Sequence, residues 1–242
     1  LEYALGQANL LRKPLLVYFG VTENFPEANE RHYRFMLEGL RETQADLAGR
    51  GIRMLVLRVS PEAGALALSR SAAMVITDRG YLRVERQWRD TLAGGADCLV
   101  VQVETNVIVP VETASGKEEY AAATLRPKIR RLIGLYDDAP EEEEALLPLA
   151  ELSLPFEALD LTDIDAALRL LNIDKSVRPA GMRGGASEGK RLLDTFIRDK
   201  LPRYAGQAND PGEDLSSGLS PYLHFGQISP LEVMAALRDE SG

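Results

Sequence analysis

The sequence predicts an α/β fold: a doubly wound, Rossmann-like parallel sheet followed by an incomplete all-helical domain. Three observations lead there. Four short runs, at 15–19, 52–59, 73–77 and 98–103, are dominated by apolar residues, the pattern of parallel strands buried on both faces. Amphipathic helical stretches alternate with them, the order that specifies a parallel sheet. Beyond residue 136 no strand pattern recurs and only helical periodicity remains.

In chain order, Leu1, Ala4, Leu5, Ala8 and Leu11 fall at helical spacing over residues 1–12. Pro14 opens the first strand and Gly20 closes it. A helix follows over 28–50, with Tyr33, Met36, Leu37, Leu40 and Leu47 facing inward and Gly49 and Gly51 stopping it. The strand at 52–59 leads to a short helical segment after Pro61, a third strand ending at Asp78, a helix over 82–92, the fourth strand, and a long helix over 117–136. Ser115 can cap that last helix, with Glu118 or Glu119 reaching back. Arg126, Lys128, Arg130 and Arg131 in its C-terminal half match the helix dipole. A doubly wound unit opens on a strand, and the first helix has none before it, so a strand upstream of Leu1 is expected.

The net charge of −9 argues against a polyanion partner until its distribution is considered. Residues 137–165 hold eleven acidic residues and no Lys or Arg; the rest of the chain is close to neutral at +2. Domain organisation follows: an α/β domain over 1–136, an acidic interdomain linker over 137–186, and the start of a helical domain over 187–242. The linker lies over the surface, interrupted by Pro140, Pro148 and Pro155, with its leucines partly packed. The last region has too few helices to enclose a core. Cys98 is the single cysteine, so no disulfide framework exists and a reducing, cytoplasmic location is expected. No apolar run reaches 18 residues and no secretory signal opens the chain.

The chemistry concentrates near the C-terminal end. Ser216, Ser217, Gly218, Leu219 and Ser220 precede Pro221 and a helical stretch. Serine hydroxyls and unsatisfied N–H groups at a helix start suit phosphate oxygens; a plain serine-capped helix has the same spelling. Gly184 to Lys190 has P-loop spacing, but Arg191 stands where Ser or Thr would hold magnesium, and no strand precedes it. It reads as a loop with Ser187 capping the next helix. Asp78 to Trp88 opens a helix directly after a strand, at the usual ligand edge of an α/β sheet. His32 and His224 are the only histidines and lack metal-ligand spacing.

Several of these stretches resemble one family. Ser217-Gly218-Leu219-Ser220-Pro221-Tyr222-Leu223-His224-Phe225-Gly226-Gln227-Ile228-Ser229 resembles the flavin-phosphate segment of DNA photolyases and cryptochromes, and its last six residues resemble the class II cyclobutane-pyrimidine-dimer photolyases. The helix from Glu30 to Leu40, the run Asp78 to Trp88, and Asn106 to Lys128 resemble class II motifs in the same order. The resemblance implies a two-domain flavoprotein that uses blue light to drive electron transfer from reduced FAD to a flipped-out pyrimidine dimer in UV-damaged DNA. It implies FAD contacts at Tyr204, Ser216, Ser217, Gly218, Leu219 and Ser220, with the serines on the pyrophosphate and Leu219 packed beside the cofactor. In that family the α/β domain can hold an antenna chromophore, often a deazaflavin. A monomer without membrane attachment is expected. The family's flavin-ring contacts and tryptophan path come mostly from a region beyond residue 242, and the single tryptophan, Trp88, lies in the α/β part. The chain is thus expected to be a fragment inactive alone. Ala208 stands where family members usually carry Arg near the DNA backbone, which fits a cryptochrome-like light sensor as an alternative. A nucleotide-binding α/β module without light chemistry is a third reading.

Overall fold

The computed structural model describes residues 1–138, 140–149, 156–179, 181–207 and 210–239. Ala208, Leu152, Leu154 and Pro155 lie outside the described residues. In chain order the elements are α1 (Glu2–Leu10), β1 (Leu16–Gly20), α2 (Glu30–Gly49), β2 (Arg53–Leu57), α3 (Pro61–Ser69), β3 (Met74–Asp78), α4 (Arg83–Gly95) and β4 (Leu99–Val103). There follow α5 (Val111–Ala114), α6 (Ala122–Leu132) with a 3-10 turn at Ile133–Leu135, and α7 (Ile164–Leu170). Then come α8 (Ala186–Thr195), a π turn at Phe196–Lys200, α9 (Leu201–Gln207), α10 (Ser220–His224) and α11 (Pro230–Asp239). These form two compact units, Leu1–Val103 with Glu141–Ala186, and Glu104–Pro140 with Ser187–Gly242.

The first unit is the α/β part, and its strands are parallel as the apolar runs predict. β1 pairs with β2, Leu16 opposite Arg53, and β3 pairs with β4, Met74 opposite Leu99. The strands group as two parallel pairs rather than as one continuous ladder. The core gathers Leu5 of α1, Tyr33, Leu37 and Leu47 of α2, Met54 and Val56 of β2, and Ile164, Ala167 and Leu168 of α7. Burying side chains of this size stabilises the fold by about 1.5–3 kcal/mol each. Met36 and Leu40, read as inward-facing, pack against this cluster only in part. Arg50 ties the end of α2 to α1 through two hydrogen bonds to Glu2, each 2.8 Å, and holds the carbonyl of Glu143 at 2.7 Å. That fork keeps the Glu2 carboxyl below the usual carboxylate range.

The acidic stretch differs from a surface linker. Leu159, Leu161, Ile164, Ala167, Leu168 and Leu171 are all buried in the first unit. Leu159 N–H donates to Val56 O and Arg58 N–H to Glu157 O, so this segment runs along the outer edge of β2. Its carboxylates do local work instead. Asp163 caps α7 by accepting from the Ala166 N–H at 3.0 Å, and Asp160 accepts from the Thr162 N–H at 2.9 Å. Acidic residues in turns and apolar residues between them give an acidic composition and a buried face at once.

In the second unit the expected helix over 117–136 is shorter. α6 starts at Ala122, and Ser115 caps no helix there. Ser115 Oγ donates to Glu119, and Lys128 donates to both Ser115 Oγ and Glu119. Nine residues of continuous helix would put Glu119 and Lys128 about 13 Å apart along the axis. The pairing therefore requires the chain before α6 to fold back. Lys128 and then Ser115 hold the Glu119 carboxyl down to about 2. Leu193, Leu215, Leu219, Tyr222 and Ile228 are buried hydrophobic residues of the C-terminal part.

Candidate functional site

The Ser216–Ser220 loop lies between α9 and α10, within the second unit. It is shaped by one anchor and one bend. The anchor is Leu219, 3% exposed and buried like Leu215 and Tyr222. Tyr222 packs over Gly189 of α8, where an added Cβ would lie 3.2 Å from the ring. The bend is Gly218, with φ +71. A side chain at that backbone angle costs about 1–2 kcal/mol, so glycine belongs there. Leu219 N–H donates to Ser217 Oγ at 3.4 Å, and Leu219 O accepts the first bond of α10 from the Leu223 N–H at 3.0 Å.

Burying Leu219 leaves Ser216, Gly218 and Ser220 exposed and Ser217 half-buried. The Leu219 side chain itself lies in the protein core. Two charged groups set the electrostatics. Lys200 donates to Ser216 O at 2.8 Å and to Asp214 Oδ2 at 3.4 Å. Ser216 Oγ donates to Asp214 Oδ1 at 3.0 Å. These bonds, that from Ser216 first and then Lys200, lower the Asp214 pKa. An ionised Asp214 thus orients a hydroxyl and an ammonium at the start of the loop.

Lys200 is the group that sequence reading missed. It ends the π turn, sixteen residues before its partner Ser216. Pro202 supplies the reason for that turn: it has no N–H, and its ring crowds the carbonyl four residues back. The helix relaxes there to a longer bond, from Leu201 N–H to Phe196 O. The ring of Tyr204 meets that of Phe196 edge-on, with centroids 5.5 Å apart, and remains 44% exposed. The one sequence signal for Lys200 was Pro202 inside a helical pattern.

The other stretches singled out have structural roles. In Asp78 to Trp88, Glu85 accepts from the Leu82 N–H at 2.9 Å and caps α4, while Arg79 lies 5.8 Å from the Tyr81 ring centre. Tyr81, Arg83, Arg86, Gln87 and Asp90 line a shallow depression on α4. Trp88 packs against Phe25, ring centroids 6.2 Å apart. Gly184 N–H donates to Glu38 at 2.7 Å, and Lys190 pairs with Glu232 at 3.0 Å, so the glycine-rich turn makes internal contacts. His32 Nδ1 accepts from the Asn29 N–H at the start of α2. Among the described residues no group of three or more His, Cys, Asp or Glu could hold a metal ion, and no helix is long and apolar enough to cross a membrane.

With this geometry in hand, comparison with known proteins is specific. The family model for DNA photolyase matches residues 2–146. A deoxyribodipyrimidine photo-lyase from Methanothermobacter thermautotrophicus is 44% identical over 100% of this chain and 53% of its own length. One from Potorous tridactylus is 31% identical over 94% of this chain and 43% of its own. The chain thus spans about half the length of these relatives. Among solved structures, a class III photolyase from Agrobacterium tumefaciens aligns with a TM-score of 0.70 at 19% identity, over 97% of this chain and 49% of its own. A Synechocystis cryptochrome aligns with a TM-score of 0.78 at 16% identity, over 99% of this chain and 52% of its own; these two likenesses speak to the fold. The α/β architecture, the family model and the relatives agree: this chain belongs to the DNA photolyase family.

Proposed function

We propose that this chain is part of a class II deoxyribodipyrimidine photo-lyase and supplies the phosphate side of its FAD site. The observation that carries this reading is the Ser216–Ser220 loop. Its exposed serines and its glycine bend stand on a buried Leu219 anchor, with the Lys200 ammonium at its entrance. The donor set fits a pyrophosphate. Hydroxyls of Ser217 and Ser220 donate to phosphate oxygens, and the Ser216 hydroxyl joins them by turning away from Asp214. The missing Cβ of Gly218 lets the backbone approach closely; among the described residues beyond its chain neighbours, the nearest atom, on Leu192, lies 3.9 Å from where that Cβ would stand. Lys200 adds positive charge. Tyr204 offers an aromatic edge to the rest of the cofactor.

Bound FAD would supply the light-driven electron that splits a cyclobutane dimer in DNA. The role of this chain's own residues is to bind and orient the dinucleotide. An antenna chromophore in the α/β unit belongs to the same reading. The test is blue-light reversal of thymine dimers. The full-length protein repairs them in light and not in darkness, and the 242-residue chain alone repairs none in either condition. Absence of light-dependent repair by the full-length protein counts against the enzyme and favours the cryptochrome-like sensor, which Ala208, in place of an arginine, supports.

A further inference from the structure

Asp214 lies just ahead of the serine loop and takes up the donors nearest to it. Ser216 Oγ donates to Asp214 Oδ1 at 3.0 Å, and the Lys200 ammonium donates to Oδ2 at 3.4 Å. The Ser216 N–H is a further donor to the same carboxylate. A hydroxyl, a backbone N–H and an ammonium are the donor types that gather on phosphate oxygens.

Two other aspartates show what a plain turn looks like. Asp160 accepts from the Thr162 N–H at 2.9 Å, and Asp174 from the Ser176 N–H at 2.8 Å. Each is the common aspartate turn, closed by a neighbour two residues on. Asp214 adds an ammonium carried by another element, the π turn that Lys200 ends. Local turn geometry does not account for that contact.

The carboxylate holds its donors loosely. The Asp214 side chain is 84% exposed, against 25% for Lys200. An exposed ion pair is worth little in water. Asp214 can therefore swing into solvent while Lys200 stays, held by the Ser216 carbonyl at 2.8 Å. The Ser216 hydroxyl first, and then Lys200, keep the Asp214 carboxyl below the ordinary aspartate range. Near neutral pH it is an anion. The adjacent Glu213 is directed elsewhere, accepting from Arg203 at 3.1 Å.

We propose that Asp214 is a built-in competitor for the flavin phosphate: it occupies the Ser216 hydroxyl and the Lys200 ammonium in the unliganded loop and is displaced when the pyrophosphate binds. This rests on the flavin reading above and adds to it a residue that opposes binding. Ser216 has one O–H to donate, so the two anions cannot both receive it. Two anions beside one ammonium also repel each other. Until the cofactor arrives, the carboxylate keeps the donors ordered and the ammonium neutralised.

The test is fluorescence titration of flavin-free full-length protein with FAD. Asp214→Asn keeps a turn-forming side chain and removes the charge; Asp214→Ala removes both. Each is expected to lower the FAD dissociation constant about five-fold, the scale of one exposed ion pair. Glu213→Gln removes a charge one residue away and is expected to change the constant less than about two-fold. An unchanged or raised constant in either Asp214 variant overturns the proposal, because a residue that only positions the loop gives that result. Equal tightening in Glu213→Gln overturns it too, since net charge then explains the gain. The double variant Ser217→Ala with Ser220→Ala tests the reading underneath. If it weakens FAD binding while Asp214→Asn fails to tighten it, the competitor alone falls. If it binds FAD as tightly as the natural protein, the flavin reading falls and the competitor with it.

Discussion

The Lys200 ammonium donates to the carbonyl of Ser216 across 2.8 Å, joining a π turn to a serine loop sixteen residues further on. A lysine spent on a carbonyl keeps most of its charge for a second partner. Its other acceptor, Asp214, is well exposed and competes with water. A phosphate at the loop is the stronger acceptor, because it carries charge and accepts from several donors together.

Lys200→Ala is expected to raise the flavin dissociation constant of the full-length protein about ten-fold, or about 1.4 kcal/mol. Fluorescence titration with FAD measures this. An unchanged constant would remove Lys200 from the site.

Gly218→Ala is expected to destabilise the fold by about 1–2 kcal/mol through backbone strain alone. Among the described residues beyond its chain neighbours, the nearest atom to the new Cβ, on Leu192, is 3.9 Å away, so no clash contributes. Gly181→Ala, at an ordinary backbone angle in open space, serves as the control and is expected to change stability by less than about 0.5 kcal/mol in urea denaturation.

The Glu119 carboxyl, held at about 2 by Lys128 and Ser115 against an ordinary value of 4.5, makes stability depend on acid. Its folded pKa is depressed, so its contribution is complete above about 4.5 and is lost as pH falls toward 2. Thermal unfolding from pH 5 to pH 2 should show this fall in the natural chain. Glu119→Gln should lack that component, and equal slopes in both proteins would count against the pairing.

Leu168→Ala is expected to cost about 2–5 kcal/mol, because it opens a cavity in the core of the first unit. Leu146→Ala, at an exposed position in the same acidic stretch, is expected to cost less than about 0.5 kcal/mol. Equal effects in chemical denaturation would mean that the stretch is not divided between core and surface as described.

The serine loop was legible because its residues are contiguous and each donor type can be read from the letters. Lys200 was not. Its role depends on the turn that Pro202 forces, and nothing in the letters says where a relaxed helix will aim an ammonium. Ser115 shows the opposite case. Its spacing to Glu118 and Glu119 fits a capping box, but Lys128 draws Glu119 into a different turn and the helix begins at Ala122, seven residues after Ser115.

By itself the sequence determined the four strands, the helices between them and their class. The apolar runs of β1 to β4 and the periodicity of α2 and α4 are local properties, and burial on both faces leaves a strand little choice of partner direction. The tertiary structure decided what local pattern cannot hold. It put Leu159 to Leu171 of an acidic stretch into the core, split the strands into two pairs, and brought Lys200 to Ser216. Each is a contact between residues far apart in the chain. Its free energy comes from shared burial or charge that exists only once both segments are in place.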